Sequence, residues 1–175
     1  MGLGRDSFLT LMARNIELKA RCADLERARA AALAAGAVPQ AVLEQVDTYF
    51  PAREGRLKLR RIAGERDEMI RYHRANETGT RASDYEIVVV PPELAAMLAE
   101  TVVPVAVVAK RRELLLLDNI RIHLDTVERL GTFVEFEAVE GGAEAHARLE
   151  ELALALGLRA EDRVARSYGD LIRAR

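Results

Sequence analysis

The sequence has one cysteine, almost no net charge and no long hydrophobic run, and each shortage excludes a class of protein. The single cysteine, Cys22, rules out a disulfide within the chain and fits a reducing cytoplasm. The net charge of −2 gives no sign of a nucleic-acid or membrane partner for the molecule as a whole. The longest apolar run, residues 102–109, is interrupted by Pro104 and falls short of the ~18 residues that cross a membrane. Since the N-terminal residues also lack the apolar segment of a signal peptide, we expect a cytoplasmic protein with no nucleic-acid or membrane partner.

The composition is that of a folded domain. Half of the residues are hydrophobic and 31% are charged, a balance that excludes intrinsic disorder. A chain of 175 residues can bury one substantial core, and two domains would be unusual at this length. We therefore expect a single domain over residues 12–175, preceded by an N-terminal extension over residues 1–11.

In several stretches, charged residues recur at every second position and mostly apolar residues stand between them. Examples are NIELKAR at residues 15–21, RLKLR at residues 56–60 and VEFEA at residues 134–138. Successive side chains of a β-strand point to opposite faces, so each stretch predicts a strand with one charged face and one apolar face. In any single strand, a solvated outer face with cross-strand salt bridges would give the same pattern. Five such strands in one phase favour charged faces that line the inside of a closed barrel.

The remaining patterns complete an α+β fold. Strands are predicted at residues 14–21, 45–50, 56–62, 68–74, 83–90, 103–117, 119–127 and 132–140. Residues 37–39 are expected to be a connector, and helices are predicted at residues 24–35, 93–100 and 143–156, with a helical tail from residue 160. We expect the eight strands to form a closed antiparallel β-barrel with the helices packed on its outside, because their apolar sides need a partner.

Sorting the strands by phase places more cations than carboxylates on the predicted inner face. The cations are Lys19, Arg21, Arg56, Lys58, Arg60, Lys110, Arg112 and Arg121. The carboxylates are Glu17, Asp125, Glu135 and Glu137. A buried charge must pair with another charge, an ion or a ligand, because an unpaired charge is too costly to bury. Arg and Lys suit phosphate oxygens and carboxylates suit Mg²⁺ or Mn²⁺, so the pattern predicts a metal-bound oligophosphate.

The same residues resemble those of a known family. The stretch Asn15-Ile16-Glu17-Leu18-Lys19 resembles the Glu-x-Glu-x-Lys signature of the CYTH superfamily, the triphosphate tunnel metalloenzymes. Residues 45–50 and 55–60 resemble its second and third strands, residues 121–137 its most specific stretch and residues 167–171 its tail. Among the branches of the superfamily, the chain is most similar to bacterial class IV adenylate cyclases of the CyaB type.

The resemblance implies an eight-stranded tunnel that binds ATP or another triphosphate together with Mg²⁺ or Mn²⁺. The metal ligands that it implies are Glu17, Glu135 and Glu137. The triphosphate contacts that it implies are Lys19, Arg56, Lys58, Arg74, Lys110, Arg112 and Arg121. Class IV relatives also imply a homodimer.

One residue departs from the family signature. Asn15 stands where the signature begins with Glu. An amide can supply a carbonyl oxygen but no charge, so we expect one metal site to be weakened or lost. This leaves open a one-metal enzyme, a related activity and a protein that binds without turnover.

Three functions fit the predicted lining. In a class IV adenylate cyclase, the ribose 3′-hydroxyl attacks the α-phosphorus of ATP, and Asp125, His123 or a metal-activated water could take the proton. In an inorganic, thiamine or nucleoside triphosphatase, water attacks the terminal phosphorus, and Lys19 could orient that water. The third function is a non-catalytic nucleotide or polyphosphate sensor, which Asn15 favours. Both reactions need the same lining, so the lining does not choose between them.

Overall fold

The structure is a computed structural model that describes residues 10–175. Its strands are β1 (Thr10–Arg21), β2 (Val38–Phe50), β3 (Arg56–Ile62), β4 (Glu68–Arg74), β5 (Arg81–Val89), β6 (Ala106–Leu117), β7 (Ile120–Val127) and β8 (Gly131–Val139). Its helices are α1 (Leu25–Ala34), α2 (Pro92–Thr101), α3 (Glu144–Ala155) and α4 (Tyr168–Arg173), with one 3₁₀ turn at Ala160–Asp162.

The strands close into one antiparallel barrel in the order β1-β5-β4-β3-β2-β6-β7-β8. The barrel closes at β1, because Glu17 lies opposite Arg81 of β5 on one side and opposite Glu137 of β8 on the other. The predicted fold class is therefore confirmed: an eight-stranded closed antiparallel barrel with helices packed outside it.

The apolar faces of the strands point outward and lie under the helices. Leu18, Ile122 and Phe136 are fully buried in a cluster that includes Ala28 of α1 and Leu149 of α3. A second cluster, around Leu59, packs against Ala95 of α2. Because the helices cover these apolar faces, the alternate charged side chains point into the barrel, as the sequence phase predicts.

One end of the barrel is closed by an apolar plug that includes helix α4. Val108, Val127 and Phe133 point inward at this end and pack with Tyr49 and with Tyr168 of α4. The helix begins with a capping box, in which the Ser167 side chain accepts a hydrogen bond from the backbone of Asp170 and the Asp170 side chain accepts one from the backbone of Ser167. This plug leaves the tunnel open toward the other end.

Several boundaries differ from the sequence predictions, those of β2 and β6 among them. Residues 37–39 were predicted to be a connector, but β2 already begins at Val38 and pairs with β6 from Leu116 onward. Pro39 is tolerated there because β3 pairs only with residues 45–50, so this part of β2 has one neighbour, and the register shifts next to the proline. Strand β6 begins at Ala106 rather than at residue 103.

The N-terminal boundary is described only in part. Of the predicted extension over residues 1–11, residues 1–9 lie outside the described residues, and Thr10 and Leu11 belong to β1. Among residues 10–175, no helix is long and apolar enough to cross a membrane.

Candidate active site

The inside of the barrel holds a cavity that most of the predicted site residues line. Of those residues, the ones on the cavity wall are Glu17, Lys19, Lys58, Arg74, Lys110, Arg112, Arg121, Glu135 and Glu137. Its volume of about 110 Å³ is below the ~300–1,000 Å³ that is typical of ligand pockets, because ion pairs between the lining side chains occupy the interior. A polyanion entering the tunnel would replace carboxylates as the partner of these cations.

The carboxylate of Asp47 collects three of the cations. Its oxygens lie 3.0 Å from Lys58 Nζ, 3.5 Å from Lys110 Nζ and 3.4 Å from Arg60 Nε. The side-chain amide of Gln45 donates to both oxygens at 3.0 Å. Burial opposes ionisation of Asp47, but the three cations hold its pKa well below the usual range. Asp47 is therefore a buried anion that gathers ammonium and guanidinium groups on one side of the cavity.

The pKa of Lys58 lies close to neutral pH. Burial, followed by the charge of Arg60, lowers the pKa of Lys58 to about 7, although Asp47 acts in the opposite direction. Its ammonium nitrogen also lies 5.7 Å from the ring centroids of both Tyr49 and Tyr72. Lys58 lines the cavity, and its side chain can therefore gain or lose its positive charge near neutral pH.

Glu17 binds two guanidinium groups. Arg74 Nη1 donates to Glu17 Oε1, and Arg81 Nε donates to the same oxygen at 3.0 Å. Within residues 10–175, Nε and Nη2 of the buried Arg74 have no hydrogen-bond partner. Such donors are suited to the oxygens of a phosphate chain. Glu17 is thus placed as a partner of Arg74 and Arg81, while its predicted role as a metal ligand stays a prediction.

Glu135, Glu137 and His123 form the group in the described residues that could hold a metal ion. The candidate ligand atoms of the three side chains all lie within 4.8 Å of one another. His123 Nδ1 is buried without a hydrogen-bond partner in the described residues, 3.7 Å from a Glu135 oxygen and 3.9 Å from a Glu137 oxygen. Burial and then Arg112 lower the pKa of His123, which favours the neutral imidazole that binds metals.

The donor set of this cluster fits Mg²⁺ or Mn²⁺. Two carboxylates supply hard oxygen ligands, and an imidazole nitrogen is a ligand that Mn²⁺ accepts more readily than Mg²⁺. Burial would raise the pKa of Glu135, but the ammonium group of Lys19, 2.8 Å away, helps to hold it well below its usual range. The carboxylate is therefore ionised and ready to bind a cation.

Asp125 lies behind the cavity wall and orients Arg112. Arg112 donates to both Asp125 oxygens at 2.7 and 2.6 Å, and Tyr168 Oη donates to one of them at 2.9 Å. Burial opposes ionisation, but Arg112 and then Lys110 lower the pKa of Asp125 to about 2. Arg112 also reaches Glu135 at 2.9 Å. These contacts support a positioning role for Asp125; its predicted role in proton transfer stays a prediction.

Arg56 contacts the plug rather than the cavity. Its guanidinium group donates to Asp170 of α4 at 3.1 and 2.7 Å and to Asn76 at 2.7 Å. Arg56 therefore ties β3 to the helix that closes the tunnel. Its predicted contact with a triphosphate stays a prediction that the geometry of the described residues does not favour.

The other end of the tunnel is open to solvent. Inward-facing charged residues there are partly exposed: the side chain of Arg121 is 42% exposed and that of Glu137 is 20% exposed. On the other side of the opening, Arg60 and Glu68 are 23% and 31% exposed. The candidate metal-binding cluster therefore lies toward the mouth, whereas Lys19 and Lys110 lie 4.2 and 5.1 Å from the ring of Tyr168 in the plug.

Two charged side chains of the candidate site, Asp47 and Arg81, were not predicted from the sequence. Asp47 alternates with Gln45 and Tyr49 along β2, so the three side chains share one face. A single carboxylate on a polar face was the pattern from which Asp47 could have been predicted to line the tunnel. Arg81 was missed because the fifth strand was predicted to begin at residue 83, two residues late. Arg21, which was expected inside, is exposed beyond the tunnel and lies 4.9 Å from the ring of Phe133.

Comparison with known protein families gives one match over most of the chain. The sequence profile of the CYTH domain matches residues 13–168. No curated protein matches the chain significantly. The matched region contains all eight described strands, apart from the first three residues of β1.

Solved structures share the fold over nearly their whole length. The PH1012 protein from Pyrococcus horikoshii has 27% sequence identity and a TM-score of 0.78, covering 90% of this chain and 99% of its own. A proposed adenylate cyclase from Vibrio parahaemolyticus has 20% identity and a TM-score of 0.71, covering 91% and 97%. A proposed adenylyl cyclase from Hippeastrum with a dominant triphosphatase activity has 13% identity and a TM-score of 0.70, covering 91% and 95%.

Proposed function

Since this protein belongs to the CYTH domain family, we propose that it is an enzyme that binds a triphosphate in its tunnel and cleaves it there. The observation that carries the proposal is the lining: cations and carboxylates from seven of the eight strands converge on one cavity with one plugged end. Arg and Lys side chains neutralise phosphate oxygens, and the carboxylates would hold Mg²⁺ or Mn²⁺ beside them.

The two ends of the tunnel suggest how the substrate lies. Lys19 and Lys110 sit against the plug, and they suit the terminal phosphates of a chain that enters phosphates first. The cluster of His123, Glu135 and Glu137 lies toward the mouth, so it would be near the α-phosphate. A bound Mg²⁺ or Mn²⁺ ion would supply positive charge to the phosphoryl oxygens at that position.

This orientation favours the adenylate cyclase reaction with ATP as substrate. The ribose 3′-hydroxyl attacks the α-phosphorus in line, and pyrophosphate leaves toward the plug as cyclic AMP forms. Lys19, Lys58 and Lys110 would stabilise the negative charge of the leaving pyrophosphate. Asp125 would hold Arg112 in position against the phosphate chain. Catalysis would come mainly from positioning and charge stabilisation.

Hydrolysis of the terminal phosphate is the second candidate. The specific observation in its favour is Lys58, whose pKa of about 7 lets a neutral amine orient and deprotonate a water near the plugged end. The reaction would release orthophosphate instead of cyclic AMP. A non-catalytic sensor is the third candidate, and it is supported by Asn15, whose oxygen accepts a hydrogen bond from Tyr85 Oη at 3.4 Å.

The test is ³¹P NMR of the purified protein with ATP, thiamine triphosphate or inorganic triphosphate and Mg²⁺ or Mn²⁺. Pyrophosphate together with cyclic AMP supports the cyclase, orthophosphate supports the hydrolase, and unchanged ligand with measurable binding supports the sensor. Lys110→Ala should abolish the signal change, whereas Arg61→Ala on the outer face should leave it intact. No binding of any triphosphate would refute the proposal.

A homodimer and a cytoplasmic location remain predictions. The outer face of β2 and β6 exposes Val42 and Val107, which supports a dimer through this face. Between them, Glu44 and Arg111 lie 3.9 Å apart. A twofold axis could pair Glu44 of each copy with Arg111 of the other copy. Light scattering of the wild type and of Val42→Glu would test the dimer.

A further inference from the structure

We infer that an apolar strip on one wall of the tunnel binds the organic part of the substrate and selects an organic triphosphate over inorganic triphosphate. The apolar strip consists of Ile70, Tyr72, Tyr85 and Ile87, and all four line the cavity. The inference rests on the proposed function, because it assigns a role to another part of the same tunnel.

The strip is continuous across two strands. Ile70 of β4 lies opposite Ile87 of β5, and Tyr72 lies opposite Tyr85 in the same ladder. Directly opposed side chains on one face of a sheet are in contact range. The four side chains therefore form one surface on the inner face of β4 and β5.

The strip faces the charged wall. In the closed barrel, β3 and β2 lie between β4 and β6, and β1 and β8 lie between β5 and β7. The pair β4 and β5 is therefore diametrically opposite the pair β6 and β7. Strands β6 and β7 carry Lys110, Arg112 and Arg121 on the cavity wall. The tunnel thus presents several cations on one wall, and on the facing wall aliphatic and aromatic groups next to a single cation, Arg74 of β4, which suits a guest that is itself charged at one end and apolar at the other.

Half of the strip is free of core packing: Tyr72 packs against the plug and Ile70 is buried, but Tyr85 and Ile87 are not part of the described core. Ile70, Tyr85 and Ile87 belong to none of the apolar clusters that form under the helices or in the plug within residues 10–175. Tyr85 and Ile87 are half-buried, and both line the cavity. Apolar surface left in contact with water inside a charged tunnel gains free energy when a ligand covers it.

The outer end of the strip, at Ile87, fits a flat ring attached to the α-phosphate end, whereas Tyr72 lies opposite Arg56 toward the plug. Arg60, at the partly exposed mouth, lies opposite Glu68, two residues before Ile70 in β4. With the phosphates directed at the plug, the organic group would lie between the metal-binding cluster and Ile87. The ring of Tyr85 and the side chains of Ile70 and Ile87 offer the flat apolar contact that a heteroaromatic ring prefers, whatever its hydrogen-bonding pattern.

The experiment compares affinities for ATP, thiamine triphosphate and inorganic triphosphate by titration calorimetry. Ile87→Ala should lower the affinity for the organic triphosphate that the wild type binds by about tenfold. It should change the affinity for inorganic triphosphate by less than twofold. Tyr85→Ala should do the same, whereas Tyr85→Phe keeps the ring and should retain the affinity. Leu154→Ala, an aliphatic truncation on the exposed face of α3, is the matched control, and melting temperatures verify that each variant is folded.

The outcomes separate this inference from the function it rests on. A wild type that binds inorganic triphosphate at least as tightly as both organic ones overturns the inference and leaves a triphosphate enzyme. Equal losses for all ligands in Ile87→Ala, or no loss for any, overturn it as well. If the wild type binds no triphosphate, the proposed function fails and the assignment of the strip falls with it.

Discussion

Lys58 Nζ lies 3.0 Å from Asp47 Oδ2, and this contact maintains positive charge at a site where burial opposes it. Asp47 is completely buried, and its other contacts are also with donors, so its carboxylate raises the pKa of each ammonium group it faces. The ionisation of Lys58 then depends on a carboxylate that is itself shielded from solvent. Several properties of the tunnel can be tested through such pairs.

Triphosphate affinity should fall as the pH rises through about 7, because Lys58 loses its proton in this range. In Lys58→Arg the guanidinium group stays charged, so the same titration should be flatter. In Asp47→Asn the pKa of Lys58 falls further, and the loss of affinity should begin at a lower pH. Calorimetric titration of inorganic triphosphate between pH 6 and 9 measures this, and identical profiles for wild type and Lys58→Arg would contradict it.

Asp125→Asn should destabilise the fold, because it removes the carboxylate that balances the buried Arg112. Breaking one side of a buried pair costs about 3 kcal/mol when part of the compensation remains, here from Glu135. Urea unfolding at pH 7 measures the change in the free energy of unfolding. Asp84→Asn removes an exposed partner of Arg14 and should change stability little. Equal losses of unfolding free energy in both variants would mean that burial of the Asp125–Arg112 pair does not affect its contribution to stability.

The same carboxylate should control acid stability. Asp125 has a pKa of about 2 in the folded protein against an ordinary value of 3.8, so its ionised form stabilises the fold above pH 4. This contribution is lost as the pH falls from about 4 to 2, because the unfolded chain takes up the proton first. The melting temperature of the wild type should therefore drop more steeply over this range than that of Asp125→Asn. Parallel curves would contradict the assignment.

Metal binding should depend on His123 and Glu137. Each supplies one of the three candidate ligands, so His123→Ala and Glu137→Gln should weaken Mn²⁺ binding by about tenfold or more. Glu113→Gln is a suitable control, because Glu113 pairs with Arg29 on the outside of the barrel. Electron paramagnetic resonance of free Mn²⁺ measures the affinity without any turnover. An unchanged affinity in His123→Ala would leave only the carboxylates as ligands.

Asn15→Glu should tighten metal binding and raise turnover if the missing carboxylate limits the enzyme. Asn15 lies two residues before Glu17 on the inner face of β1, so a carboxylate there adds negative charge beside the cavity. Asn15→Gln adds length without charge and serves as the control. If metal affinity and rate are the same in Asn15→Glu as in the wild type, the account of this departure from the family signature is wrong.

The phase of each strand could be predicted because it is a local property. Side chains alternate along any extended segment, so Glu17 and Lys19 share a face, and Leu18 between them points the other way, whatever the rest of the chain does. The same alternation puts Glu135 on one face with Glu137, and Lys110 on one face with Arg112. Five strands in one phase favoured a closed barrel that holds an oligophosphate, and the resemblance to a known family specified a triphosphate.

The partners of these side chains could not be predicted in the same way, because pairing depends on register and closure between segments far apart in sequence. Asp47 meets Lys110 only because β2 lies between β3 and β6. Arg56 has the phase of a tunnel residue, yet it binds Asp170, since α4 packs across the end of the barrel at its position. Alternation along the chain thus decided which side chains face inward, and the tertiary structure decided which of them remain available to a ligand.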